Sequence, residues 1–224
     1  MPNPANLIAP MLKEQGFVKR GSAFFRIHGD GVVQVLQYQR QIDGYYLYMG
    51  LHSMYGELMK QWFTVRGCIP RYEILLLDGK RELPDRWVRK GLDTDRMQAE
   101  MLREKGIPFL NGIRTQKELA DAIFSLDGHW NDDMKFAPLL SCKDYENAAQ
   151  VLSAIIRQHE TVRKLKQEYL SEEDFRKHQE RWEPVTAHFR ELLDMARRCD
   201  DGEIRQWLEQ NYAVNADYAK FCMK

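Results

Sequence analysis

The most polar constellation in the chain is Asp127-Gly128-His129-Trp130-Asn131-Asp132-Asp133, three carboxylates and an imidazole within seven residues. Oxygen donors of this kind suit a hard cation, and a carboxylate beside an imidazole suits proton transfer. The same aspartates also suit helix caps on a solvated loop, and that plainer reading is preferred. His28 and His52 fall in runs that read as strands of one meander. Two imidazoles on one face, joined by a carboxylate, would suit a metal, but strand register decides whether they meet and the sequence leaves register open. His159 lies on an apolar helical stripe between Ile155 and Val162, where a ring satisfied by a neighbouring carbonyl is expected. The four cysteines, Cys68, Cys142, Cys199 and Cys222, are too scattered for a zinc pair or a disulfide framework and read as reduced thiols. Only Cys142, just after a helix N-cap expected at Ser141, has a setting that could activate a thiolate. No metal and no cofactor is expected.

Two broader surfaces offer binding chemistry. Lys19, Arg20, Arg26, Gln37, Gln39 and Arg40, interleaved with Phe24, Phe25 and Tyr38, have the composition of a surface that stacks bases and pairs phosphates. The first 112 residues hold 16 basic against 12 acidic residues, however, which is a weak pull on nucleic acid. The tyrosines of Tyr45 to His52, with Tyr55 and Trp62, suit a protein contact, since tyrosine, tryptophan and arginine dominate interface anchors. The candidate ligand or partner face is therefore Arg26, Gln37, Gln39, Arg40, Tyr46, Tyr48 and His52. No phosphate loop, dinucleotide glycine motif, H-E-x-x-H, nucleophile elbow or zinc-type cysteine pair is present.

The elements that would hold these residues change character near Asp133. Leu7, Ile8, Met11 and Leu12 predict a helix from about Asn6 to Gln15, with Gly16 in the left-handed closing position and Phe17 folding back. Pro10 argues that this helix is kinked or starts late. Ala23 to His28, Val32 to Arg40 and Tyr45 to His52 alternate with a period of two, separated by Gly29-Asp30-Gly31 and Asp43-Gly44, and predict an antiparallel meander. Tyr46, Tyr48 and His52 then share one strand face, and Gln37 and Gln39 share another with Val33 and Val35. Trp62 to Cys68 is a possible fourth strand, Tyr72 to Leu77 is strand or buried helix, and Arg81 to Lys105 is helix-compatible. Thr115-x-x-Glu118 is a capping box opening a helix.

Beyond Asp133 the spacing of Tyr145, Ala148, Leu152, Ile155, Val162, Leu165 and Tyr169 predicts a long helix from Ser141 to about Leu170. Ser171-x-x-Asp174 restarts a helix that Pro184 kinks or divides, and two short helices are expected to close the chain. The predicted fold class is α+β: an antiparallel meander of about four strands packed with helices over residues 1–133, followed by a helical layer over 134–224.

Composition sets the bounds. The 224 residues carry 33 basic and 33 acidic groups, a formal charge of zero, so there is no general electrostatic attraction to nucleic acid. No stretch approaches the ~20 apolar residues of a membrane span, and Met1-Pro2-Asn3-Pro4 does not open a secretory leader. A soluble, cytoplasmic protein with no membrane partner is the expectation.

Gly16-Phe17-Val18-Lys19-Arg20, the Phe24-Phe25-Arg26 strand, Gly31-Val32-Val33-Gln34-Val35 with Gln37 and Gln39, and Gly106-Ile107-Pro108-Phe109-Leu110 together resemble the bacterial domain of unknown function 4304, over about residues 1–130. The resemblance implies an α+β fold with an antiparallel sheet. It carries no catalytic signature, and the helical C-terminal extension departs from its usual shorter members. The function expected is a bacterial, non-catalytic protein-interaction module, binding a partner protein in the manner of the small immunity proteins that neutralise toxins. The alternative is a small-molecule binder or enzyme using the polar aromatic sheet face.

Overall fold

The computed structural model describes residues 5–40, 45–57, 71–73, 94–124 and 135–223. Its architecture is α+β, with one antiparallel sheet and a C-terminal region that is helical. The sheet has five strands in sequence order: β1 (Val18–Arg20), β2 (Ala23–Ile27), β3 (Val32–Arg40), β4 (Tyr45–Ser53) and β5 (Arg71–Glu73). The three alternating runs of the sequence are β2, β3 and β4. The short edge strands β1 and β5 carry too few residues for a period-two signal. The runs at 62–68 and 74–77 and the acidic segment 127–133 lie outside the described residues.

Register follows from the tight turn between β2 and β3. The His28 amide donates to the Val32 carbonyl (2.9 Å) and the Gly31 amide to the His28 carbonyl (2.9 Å). Gly31 has φ +78°, and a Cβ there would lie 3.2 Å from Met54, Tyr55 and Tyr212 side-chain atoms, so the position demands glycine on both counts. The turn sets Phe24 opposite Leu36 and Leu36 opposite Met49. One residue along, it sets Phe25 opposite Val35 and Val35 opposite Gly50. Alternation sends the first row to one face and the second to the other.

The first face packs against α1 (Ala5–Glu14), α2 (Thr94–Met101), α3 (Ile107–Asn111) and α4 (Gln116–Phe124). Its core includes Ile8, Leu12, Phe24, Leu36, Met49, Leu51, Leu102 and Leu119, all essentially inaccessible. Leu7, expected on the apolar face of α1, is instead exposed. A π-helical turn, Leu102–Gly106, joins α2 to α3. Pro10 lies within α1 without delaying its start, because it removes a single hydrogen bond from a helix pinned by buried Ile8 and Leu12. The end of α1 is a Schellman motif: Gly16 at φ +80° donates to Lys13, and Phe17 donates to Leu12 (2.9 Å). The capping box is present at α4, where the Glu118 amide donates to Thr115 Oγ1 (3.2 Å) and the Thr115 amide to Glu118 Oε2 (2.9 Å).

The helical region comprises α5 (Phe136–Ser141), α6 (Tyr145–Tyr169), α7 (Glu172–Arg198) and α8 (Asp201–Met223). Ser141 does not cap the long helix. It ends α5, its hydroxyl donating to the Pro138 carbonyl (2.8 Å), and Asp144 caps α6 by accepting from the Asn147 amide (3.3 Å). Ser171 caps α7 as the sequence predicts, and α7 runs through Pro184 undivided. The two short closing helices expected are one helix. Asn215, in the middle of α8, is buried and donates to the Met54 carbonyl (2.8 Å) and the Gly56 carbonyl (2.7 Å). The side-chain amide nitrogen of Asn215 thus pins the middle of α8 to the loop after β4.

Two further cores result. Phe136, Leu139, Leu152, Ile155, Phe189, Leu192, Ile204 and Leu208 fill the space between α5, α6, α7 and α8. Phe25, Val33, Val35, Tyr48 and Met54 on the second sheet face pack with Ala219, flanked by Tyr212, Ala216 and Tyr218 of α8. That helix therefore closes the helical layer with its first half and the sheet with its second.

Candidate functional site

The residues expected to form one face are divided between two. Arg26 stands on the first face, opposite Gln34. Its guanidinium donates through Nε and Nη2 to Gln34 Oε1 (2.9 and 2.6 Å), through Nη1 to the Gln15 carbonyl (2.7 Å), and to Asn111 Oδ1 (2.8 Å), while it stacks 4.5 Å from the Phe17 ring centroid. Gln34 in turn donates to the Leu110 and Ile113 carbonyls (2.6 and 2.7 Å). This fork ties the end of α1 to the end of α3 through the sheet. With its donors so engaged and its charge partly desolvated, it is a structural joint. Burial, then the nearby Arg114 charge, lowers the Arg26 pKa.

Gln37, Gln39, Tyr46, Tyr48 and His52 do share the second face. Gln37 and Gln39 are half-buried, Gln37 donating to Ser22 Oγ (3.2 Å). Tyr46 is half-buried, and Tyr48 and His52 are buried. Arg40 pairs with Tyr45 in the ladder, and its side chain lies outside the described residues. The part of the face that carries Tyr48 packs against α8, and His52 is itself buried. His52 is pushed down to about 4 by desolvation, with a backbone hydrogen bond at Ser53 pulling the other way. His28 lies past the end of β2, and its electrostatic neighbours are Arg26, Gln34, Arg114 and Glu118 on the first face. The two histidines are thus on opposite sides of the sheet. Among the described residues no group of three or more His, Cys, Asp or Glu side chains is placed to hold a metal.

A cleft of about 340 Å³ opens where the β2–β3 turn, the start of α4, the α5–α6 junction and α8 meet. Its apolar floor includes Leu140, Ile204 and Leu208. On its rim Lys143 Nζ and the Tyr145 hydroxyl both donate to the Asp201 carboxylate. Lys143 and Cys199, the only non-glycine residues with positive φ among those described, lie on either side of this junction. Desolvation and the Asp201 hydrogen bond hold the Tyr145 pKa up at about 12, and burial pushes the Cys142 thiol up. Both groups are thereby held protonated at neutral pH. The activating setting that the sequence left open for Cys142 is absent, because Cys142 follows the C-terminal end of α5, where carbonyls rather than amides point outward.

The third candidate surface was missed as a site by the sequence, which registered its residues only as a helical stripe. α6 and α7 form an antiparallel hairpin whose base is closed by Phe136 against Phe189, ring centroids 5.8 Å apart. Toward the tip, Leu165, Tyr169, Trp182 and Val185 are 48, 80, 42 and 42% exposed. His159 sits at the transition. Its Nδ1 pairs with Thr186 Oγ1 (3.0 Å), a hydroxyl where a carbonyl was expected, and its ring lies edge-on to Trp182 at 5.2 Å. The apolar spacing of α6 and α7 continues beyond the point where other elements cover it, which is the signal that could have singled out this surface.

No helix among the described residues is long and apolar enough to cross a membrane. Comparison of the chain with protein-family models, with curated proteins and with solved structures finds no match.

Proposed function

We propose that this chain is a non-catalytic protein-interaction module whose contact surface is the free end of the α6–α7 hairpin. The observation that carries the reading is the set of four large apolar side chains left exposed there, two on each helix, beyond a base at which the helices are packed. Exposed tryptophan and tyrosine on a rigid helical frame are favourable anchors, since little side-chain entropy is lost when they are covered. The sheet face that the sequence favoured is a weaker contact surface, because α8 occupies its aromatic half. Kinship with the domain of unknown function 4304, a bacterial cytoplasmic setting and an immunity-protein-like mode of binding belong to the same proposal.

The test is affinity capture from lysate with the native chain and with a Tyr169→Glu, Leu165→Glu variant as baits. Proteins retained by the first and lost by the second support the reading, whereas identical eluates remove the hairpin from it. A second reading, small-molecule binding, is favoured by the cleft with its apolar floor and polar rim. It expects a ligand-induced rise in Tm that Tyr145→Phe abolishes.

A further inference from the structure

We infer that the cleft between the β2–β3 turn, the start of α4 and α8 binds a free dipeptide with apolar side chains by both of its charged ends, an inference that rests on the small-molecule reading of that cleft. One face of α8 lines it: Asp201, Ile204, Arg205, Leu208 and Glu209, at three- and four-residue spacing. Ile204 and Leu208 form the apolar floor with Leu140, and the half-buried rings of Tyr55 and Tyr145 stand beside it. At about 340 Å³ the cleft lies at the small end of the range for ligand sites, which suits a ligand of two residues.

The charges on the lining sort to two ends. At the start of α8, Asp201 is already satisfied, since Lys143 and the Tyr145 hydroxyl both donate to its carboxylate. Arg205, a further electrostatic neighbour of that carboxylate, makes no ion pair or side-chain hydrogen bond among the described residues. One turn further along α8 the sign reverses. Tyr55, its ring 5.2 Å from Tyr212, has Asp30 and Glu209 as acidic neighbours. Asp30 accepts from the Gln116 amide through one carboxylate oxygen (2.6 Å), and Glu209 makes no ion pair among the described residues. Lys117, the remaining cation on the lining, lies 3.6 Å from Asp121. Arg205 and Glu209 do not neutralise each other, and an arginine four residues before a glutamate is the weaker order for a helical pair. The cleft therefore offers a cation and, about 6 Å along the helix, two acids. Two residues of extended chain span about 7 Å, so the carboxylate of a dipeptide meets Arg205 while its ammonium meets Glu209 and Asp30, with its side chains over the floor. A single amino acid carries both charges on one carbon and does not span the two ends.

The experiment is isothermal titration calorimetry of the native chain with leucyl-leucine, N-acetyl-leucyl-leucine, leucyl-leucinamide and octanoate. Leucyl-leucine is expected to bind, and loss of either charge, by acetylation or by amidation, is expected to weaken binding at least tenfold. Two exposed positions assign the ends. Arg205→Gln is expected to weaken leucyl-leucine at least tenfold and to leave leucyl-leucinamide unchanged, because the amide already lacks the charge that Arg205 meets. Glu209→Gln is expected to weaken leucyl-leucine and to leave the acetylated ligand unchanged, for the same reason at the other end. Circular dichroism matching the native chain shows that both variants fold. No binding of leucyl-leucine, equal binding of its blocked forms, or indifference to both variants overturns the inference. The small-molecule reading fails separately: octanoate bound where leucyl-leucine is not, and lost on Tyr145→Phe, leaves that reading standing without a dipeptide site.

Discussion

A polar side chain in the middle of a strand covered on both faces is tolerated only when its hydrogen bonds are complete. Gln34 meets that condition by receiving the Arg26 fork and donating to the Leu110 and Ile113 carbonyls. Gln34→Ala strands two carbonyls and a guanidinium at once, and the expected loss is about 3 kcal/mol, read as a lower urea midpoint with unchanged m. His52 makes the corresponding prediction for pH. Its native pKa is near 4 while the unfolded ring titrates near 6.5, so between those values the unfolded state binds more protons. Stability is therefore complete above pH 6.5 and falls as pH drops toward 4, by about 3 kcal/mol in all. Urea midpoints across that window check it, and His52→Leu is expected to flatten the slope; an equally steep variant would refute the assignment. His188, raised by its hydrogen bond to Glu57, runs the opposite way: its contribution is present below its ordinary pKa and lost as pH rises through the raised one. Parity grouped Tyr46, Tyr48 and His52 within one strand and Gln37 with Gln39 within its neighbour, and register brings the two sets to the same side. It could not tell depth, because depth depends on which helix arrives from elsewhere in the chain. Gln34 had a readable signal of its own, as the one polar residue in Val32-Val33-Gln34-Val35-Leu36.

Elements were legible where a local motif closes them. Gly16-Phe17, Thr115-x-x-Glu118 and Ser171-x-x-Asp174 each satisfy backbone groups within one turn, so their hydrogen bonds are written into adjacent residues. Ser141 looked like such a signal and was not one. It ends a short helix, Phe136–Ser141, that has Pro138 in its first turn, and the true cap is Asp144, three residues on. The length of α8 was unreadable for a different reason: the partners of Asn215 are the Met54 and Gly56 carbonyls, some 160 positions away. Asn215→Ala is expected to cost about 2 kcal/mol by leaving both carbonyls buried and unpaired. Hydrogen exchange separates this effect from a general loss of stability. Amides of α8 beyond residue 215 should exchange faster in the variant while those of α6 keep their ranking, and uniform acceleration would argue against a local peg. Pro184 offers the opposite test on α7, where it leaves the Glu180 carbonyl without its helical donor. Pro184→Ala, at an exposed position, is expected to raise stability by up to about 3 kcal/mol, measured as a higher Tm.

At the scale of the whole molecule, the change of pattern near Asp133 marks a change of architecture without marking a separable unit. The second face of the sheet has α8 as its cover among the described residues, through Tyr212, Ala216 and Ala219 against Phe25, Val33, Val35 and Tyr48. Ala120 of α4 and Tyr55 after β4 pack with the helical core in return, and Glu57 meets His188 of α7. A chain cut at residue 133 would therefore expose an apolar sheet face to water, and burial of four such side chains is worth roughly 2 kcal/mol each, comparable to the entire net stability of a domain. The N-terminal fragment 1–133 is expected to bind a hydrophobic dye and to lack a cooperative thermal transition, whereas the full chain unfolds in one transition whose calorimetric and van't Hoff enthalpies agree. A fragment that melts sharply, or a full chain with two resolved transitions, would show that the sheet and the helical layer fold independently. Cooperative unfolding would instead mean that the hairpin is presented by a single folded body, with the base of α6 and α7 held by the same helix that closes the sheet. An exposed stripe of tryptophan and tyrosine then stays fixed in position when nothing covers it, which is the property a docking surface requires.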